Sequence, residues 1–200
     1  MARIVVGISG ASGIVLAHRV VHALTHIGHF VELIMTQDAA YTALEEMGEA
    51  FAGPVKFLHS FSEEQQKSIR HHHVSDFGSP LASGTFHFDA MVVVPCSMAS
   101  LAAISLGLSD NLLRRVADVA IKEKRKLVLV PRESPLSEIH LENMLKLAKA
   151  GVVIMPPQPA WYTKPKTLEE VELHIVGRVF DALRITPNSY ARWEGIERRV

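Results

Sequence analysis

Two short segments of this chain hold residue types that can grip an anion. Residues 4–17 read IVVGISGASGIVLA, with Gly7, Gly10 and Gly13 at three-residue spacing and hydroxyls at Ser9 and Ser12. Glycine removes the Cβ where a chain turns sharply or packs closely. A hydroxyl beside the N–H groups of a helix start adds a donor where the macrodipole already favours negative charge. That is a phosphate-binding layout. The spacing is G-x-x-G-x-x-G, without the G-x-G-x-x-G of dinucleotide folds or the Gly-Lys-Ser/Thr of a P-loop, and a purely structural βα turn needs the same residues. The second segment is Pro95-Cys96-Ser97-Met98-Ala99-Ser100-Leu101. A helix cap by Ser97 or Ser100 explains it alone. Two such segments together point to a dinucleotide or a flavin nucleotide.

Other side chains carry chemistry one at a time. Arg132-Glu133 follows the apolar run LVLVP; an arginine there can hold phosphate through two parallel bonds while a glutamate moves a proton. A rim salt bridge is the alternative. Lys122 and Glu46 read as charges near helix ends, Tyr162 as an aromatic loop residue and Arg178 as a lone cation on a mostly apolar helix. Cys96, the one cysteine, reads as a small apolar filler. His71-His72-His73 reads as a solvated stretch open to a subunit contact, since consecutive residues of a regular element do not face one ion, and no metal is expected.

The elements that must position these residues alternate along the chain. Apolar runs at Ile4–Val6, Phe30–Met35, Met91–Pro95, Leu127–Val130 and Val152–Met155 predict five strands. Helical patterns lie between them: 13–27, Thr36 to about Met47, one capped near Ser109 or Asp110, one from Ser134-Pro135 as cap and first residue to about Ala150, and one from a Thr167/Glu170 capping box. Residues 50–88 are the least regular part. Strands apolar throughout and separated by helices imply a sheet covered on both faces, hence an α/β fold: a single-domain Rossmann-like (flavodoxin-like) three-layer sandwich with a mostly parallel sheet. Residues 1–185 form the expected domain and 186–200 a tail. Ligands of such sheets sit at the carboxyl ends of the strands, where Ser9–Ser12, Thr36–Asp38, Cys96–Ser100, Arg132–Glu133 and Pro156–Tyr162 collect.

The bulk numbers bound the partners. The 200 residues are 48% hydrophobic and 21% charged, with no net formal charge. Such balance gives no electrostatic reason to expect nucleic acid or a membrane surface. Low charge with a mean hydropathy of +0.16 suggests apolar surface hidden in an oligomer. The chain enters a strand at once, so no secretory signal is expected, and a lone cysteine fits a reducing cytoplasm.

Taken together, GISGASG, the block from PCSMASL through DNLLRRVADVAIKE, VPRESPL and HLENMLKL, and PAWYTKP closely resemble the UbiX-type flavin prenyltransferases, formerly called phenylacrylic acid or 3-octaprenyl-4-hydroxybenzoate decarboxylases. The resemblance runs from about residue 2 to 185. It implies transfer of a dimethylallyl group from dimethylallyl phosphate to N5 and C6 of reduced FMN, giving prenylated FMN for UbiD-type decarboxylases. It implies FMN at Gly10, Ala11, Ser12, Thr36, Ser97, Met98, Ala99, Ser100 and Arg132, and the prenyl phosphate at Lys122, Arg132, Glu133, Tyr162 and Arg178. Glu133, Glu46, Lys122 and Ser12 are the implied acting groups. Ala82-Ser83-Gly84 matches a loop covering the site, Phe77 stands where some relatives have tryptophan, and Trp193 matches a tail tryptophan of some members. A homo-oligomer, a dodecamer of trimers with sites shared between subunits, is also implied.

The residue types suit that reaction. Cationic donors stabilise the charge that develops on a departing phosphate. An allylic cation needs a dry, π-rich pocket. Closure at C6 needs a base, either the departed phosphate or a carboxylate such as Glu133 or Glu46. Two alternatives remain at this point: an FMN-dependent cysteine decarboxylase of the phosphopantothenoylcysteine decarboxylase kind, and a non-catalytic FMN-binding protein.

Overall fold

The computed structural model describes residues 1–185; Trp193 and the rest of 186–200 lie outside the described residues. The first half runs β1 (Arg3–Ile8), α1 (Ile14–His26), β2 (Phe30–Met35), α2 (Gln37–Met47), α3 (Pro54–His59), α4 (Glu63–Gln66) and β3 (Ile69–His72). The second runs β4 (Ala90–Cys96), α5 (Met98–Ser105), α6 (Leu112–Lys122), β5 (Lys126–Pro131), α7 (Glu138–Lys149), β6 (Val153–Ile154) and α8 (Leu168–Leu183).

All six strands pair parallel, in the order β3-β2-β1-β4-β5-β6. Every residue of β4 is buried, and only the first residues of β1, β2 and β5 are not. Such strands need cover on both faces. On one face Val6, Ile8, Leu33, Val92 and Val130 pack under α1 and α8; on the other Val5, Ile34, Val93 and Leu129 pack under α5 and α6. Alternate residues of one strand thus feed two cores, which makes the three layers. The chain direction across the sheet reverses between β1 and β4, so the loops after these two strands diverge and open a crevice. No helix among the described residues is long and apolar enough to cross a membrane.

Several boundaries differ from the expectations above. The histidine run is not a solvated stretch: Ile69–His72 is an edge strand in register with β2, from Val31↔Ile69 to Ile34↔His72. His72 is buried, with Nε2 2.6 Å from Oε2 of the fully buried Glu32 and Nδ1 2.8 Å from Ser79 Oγ. Arg3 Nε lies 3.6 Å from the other Glu32 oxygen. A carboxylate inside a sheet needs a partner, and that need draws a polar segment inward. Of the three histidines only His73 is exposed, and burial, with the charges of His72 and His73, holds the His71 imidazole below its usual pKa.

Helix α7 starts three residues late, because Ser137, not Ser134, caps it: Ser137 Oγ accepts from His140 N at 3.2 Å. Ser134 instead donates its N–H to Glu133. Asn111, not Ser109 or Asp110, caps α6 by accepting from Arg114 N at 3.0 Å. Thr167 caps α8 as expected, while the Glu170 carboxylate reaches Lys166 N, one residue before the cap.

Candidate functional site

A serine fastens the crevice shut at its base. Ser9, buried at the end of β1, receives no solvent; its Oγ donates to the Pro95 carbonyl at 3.1 Å and accepts from Ser97 N at 2.8 Å. Arg132 N donates to the Cys96 carbonyl at 3.3 Å. The ends of β1, β4 and β5 are therefore bonded in sequence, and the loops they feed hold fixed positions. Ser9, singled out above as an anion-side hydroxyl, is a structural staple.

The glycine-rich turn is enclosed by the next unit of the fold. A Cβ on Gly10 would fall on the Cβ of Asp38, with the Asp38 backbone carbon at 3.2 Å, so α2 packs directly on this turn. Gly13 caps α1 with φ 107°, a left-handed conformation that a side chain would strain. From the end of α2, Glu46 reaches back: its carboxylate accepts from Gly13 N at 3.0 Å and from Ile14 N at 2.9 Å. The first donors of α1 thus already hold a carboxylate, which their dipole favours. Thr36 caps α2 at the same rim, its Oγ1 accepting from Ala39 N at 3.2 Å.

Across the crevice, Ser97 caps α5 by accepting from Ser100 N at 3.2 Å. Its hydroxyl also donates to Ser100 Oγ at 3.2 Å, and Ser100 is buried while Ala99 is exposed. Cys96 is fully buried, and burial pushes its thiol pKa up to about 12, so no thiolate nucleophile is offered at neutral pH. The filler reading holds.

At the mouth of β5, Arg132 and Glu133 are both exposed. They do not form the rim salt bridge considered above: Glu133 Oε1 accepts from Ser134 N at 3.0 Å. Tyr162 meets His174 of α8 edge-on at 6.2 Å between ring centroids. Arg178 follows His174 by four residues, on the same strip of that helix, and lies 3.3 Å from Asp181. Arg19 of α1 bonds Glu172 at 2.6 Å and Glu169 at 3.2 Å, tying α8 to the helix that leaves the glycine turn.

Lys122 is the exception. It ends α6, just before β5 begins, whereas Arg132 follows the end of β5. A six-residue strand separates them, about 17–20 Å at 3.3 Å per residue. Lys122 pairs with Glu123 at 2.5 Å beside Gly84, so the Ala82-Ser83-Gly84 loop also sits at the far end of the sheet. Within one chain the structure brings together the Gly10–Ser12, Thr36, Glu46, Ser97–Ser100 and Arg132–Glu133 positions, and does not bring Lys122 to them. Ser9 and Asp38 belong to the strand-end loops read from the sequence, but the stapling by Ser9 and the packing of Asp38 on Gly10 depend on β4 and α2 and are announced by no local pattern. Among the described residues, no group of three or more His, Cys, Asp or Glu is placed to hold a metal ion.

The pattern of the family described as Flavoprotein matches residues 1–179. The flavin prenyltransferase UbiX of Chlamydia trachomatis is 50% identical over 194 residues, covering 97% of this chain and 98% of that protein. The crystal structure of AnUbiX, in complex with FMN and dimethylallyl pyrophosphate, is 40% identical with a TM-score of 0.88, covering 98% of this chain and 99% of that one. A dodecameric FMN-dependent UbiX-like decarboxylase from Escherichia coli is 38% identical with a TM-score of 0.85, covering 96% and 100%.

Proposed function

This chain belongs to the flavoprotein family and, within it, to the UbiX-type flavin prenyltransferases, and from that membership we propose how its own residues divide the work. The enzyme joins a dimethylallyl group from dimethylallyl phosphate to N5 and C6 of reduced FMN, and the prenylated FMN passes to a UbiD-type decarboxylase. The observation that carries this reading is the stapled crevice, with a small-residue turn on one wall, a serine cap on the other and Arg132–Glu133 at its lip. FMN fits there. Gly10 has no room for a side chain, Ser12, Thr36 and Ser97 offer hydroxyls, and Ala11, Met98 and Ala99 offer small or apolar surface. Bound in the crevice, reduced FMN supplies the nucleophilic ring atoms.

The chain supplies the rest. Arg132, Tyr162, Arg178 and Lys122 hold the donor phosphate and stabilise charge as the C–O bond breaks. With FMN bound, Glu133 at the mouth of β5 would take the proton lost from C6, and Glu46, held over the glycine turn by Gly13 N and Ile14 N, is the second carboxylate of the crevice. Lys122 lies a strand's length from the crevice of its own chain, which supports a site completed by a second subunit in a dodecamer built from trimers. Exposed Ile139, Leu141 and Leu145 on α7, with Trp161 and Leu168 both 73% exposed, supply apolar surface for such contacts. The lone cysteine suits a cytoplasmic home. Residues 1–185 are the flavin-holding unit. A flavin carrier has no use for the Arg132–Glu133 lip, and the identity to named prenyltransferases outweighs the cysteine decarboxylase reading.

Incubating the protein anaerobically with reduced FMN and dimethylallyl phosphate, then weighing the flavin, tests the activity; flavin of unchanged mass rejects it. In the same assay Glu133→Gln keeps FMN affinity but loses about 10²–10⁴-fold in turnover, the usual contribution of an acid–base group. Parental turnover in that variant removes Glu133 from the chemistry.

A further inference from the structure

Where α6 ends, the chain reads Lys122-Glu123-Lys124-Arg125-Lys126, four cations and one carboxylate. Successive residues on a helix do not face one another, yet Lys122 Nζ lies 2.5 Å from Glu123 Oε1. Two features allow this. Glu123 is the residue at which the helix stops, so its side chain leaves the helical direction. Both side chains also fold over Gly84: a Cβ there would coincide with the Glu123 carboxylate and come within 2.6 Å of Lys122 Nζ.

Gly84 is itself held in place. Arg125 donates from Nη2 to the Gly84 carbonyl at 2.6 Å and from Nη1 to the Phe86 carbonyl at 2.8 Å. Arg115 Nε donates to the Ala82 carbonyl at 3.0 Å. Three alternate carbonyls of one segment are thus pinned by two guanidinium groups, whose fork suits paired acceptors in a way an ammonium does not. The Arg125 guanidinium also lies over the buried Phe88 ring, 4.4 Å from its centroid. The seat under Lys122 is anchored to the core.

We infer that Glu123 holds the Lys122 ammonium in reserve on the Gly84 seat, with Arg125 as the positioning residue of that seat, so that a phosphate donor reaching Lys122 must displace Glu123. The inference rests on the proposed role of Lys122 in holding the donor phosphate. The exchange trades one anion for another at the same cation and needs no covalent step. It favours phosphate because the Glu123 side chain is 37% exposed, so water solvates it on release, and because an exposed ion pair is weak. A phosphate brings more charge and more acceptor oxygens to the same ammonium. The hydrogen bond and charge of Lys122 hold the Glu123 carboxyl below its usual pKa, so the pair is formed at neutral pH.

The test is steady-state kinetics with varied dimethylallyl phosphate at saturating reduced FMN. Glu123→Gln removes the competing charge while keeping the shape, and lowers the donor KM about two- to fivefold with kcat kept, the range expected from releasing an exposed ion pair. In a Lys122→Met background the same change leaves KM where it was. Arg125→Met loosens the seat and with it the placement of Lys122, raising the donor KM about tenfold or more while FMN affinity stays near parental. A KM unmoved by Glu123→Gln overturns the inference, as does an equal fall with and without Lys122, which would mark general charge repulsion. If Lys122→Met itself leaves the donor KM unaltered, the assignment of Lys122 to the phosphate fails and takes the inference with it. If Lys122→Met raises KM while Glu123→Gln does nothing, only the reserve pairing fails.

Discussion

His18 shows how far a single residue can be removed from its solution behaviour. It stacks on Phe61 at 4.5 Å between centroids and meets Phe51 and Phe57 edge-on at 5.5 and 5.7 Å. Nε2 lies 3.1 Å from Ser60 Oγ. Burial, aided by the charges of His22 and Arg19, lowers its pKa from 6.5 to about 4. The unfolded chain therefore takes up a proton at His18 in a range where the folded chain does not. Stability falls as pH drops through 6.5 toward about 4 and levels off below, where both states are protonated. Replacing His18 by Phe removes that proton uptake and keeps the aromatic packing. Denaturant midpoints between about pH 7 and about pH 4.5 should decline less steeply in His18→Phe than in the parent; parallel declines would show that other groups govern the acid limb. No part of this was legible along the chain, because a histidine on a helix discloses neither the three phenylalanines around it nor their distance. Gly10, Ser97 and Arg132 were legible, since each sits at a strand end that the apolar runs already mark.

At the scale of elements, strand β3 is where sequence and structure part most clearly. Four of the five strands read from apolar runs are there in full, while Val152–Met155 shortens to Val153–Ile154. The sixth, Ile69–His72, was hidden because its buried His72 is polar and its side chain meets a glutamate, Glu32, of β2. A hydrophobic pattern finds strands only when apolar contacts dominate them; this one has a single apolar anchor, Ile69, and a buried hydrogen bond between His72 and Glu32. Such a pair is costly to break from one side and inexpensive to replace whole. His72→Ala, which leaves the buried Glu32 side chain with only Arg3 at 3.6 Å, should destabilise the protein by about 1–3 kcal/mol. The double variant Glu32→Leu with His72→Leu should lie much closer to the parent. Urea denaturation of the three proteins decides it, and equal losses in the single and double variants would assign the effect to strand packing instead. The late start of α7 has a similar lesson: Ser134 and Ser137 both carry capping side chains, and only the contact with His140 selects between them.

For the whole molecule, the parallel topology alone places Lys122 and Arg132 at opposite ends of β5. Helices of such a sheet run back between strands, so a residue that closes a helix and one that follows the next strand never share an edge. If both hold the same phosphate, they come from different chains. Subunit mixing turns this into a measurement. Lys122→Met and Glu133→Gln should each be nearly inactive as pure oligomers, since every site lacks one group. Dissociated, mixed in equal amounts and reassembled, they should regain activity. A site that draws its lysine from one subunit and its lip from another is intact only when the first carries the Glu133 lesion and the second the Lys122 lesion. Random assembly gives that arrangement at about one site in four, so activity should recover to roughly a quarter of the parental value. A site built within one chain can never be intact in such a mixture, because every chain carries a lesion. Recovery near a quarter therefore requires sharing, and activity that stays at the level of the pure variants means Lys122 serves no site but its own.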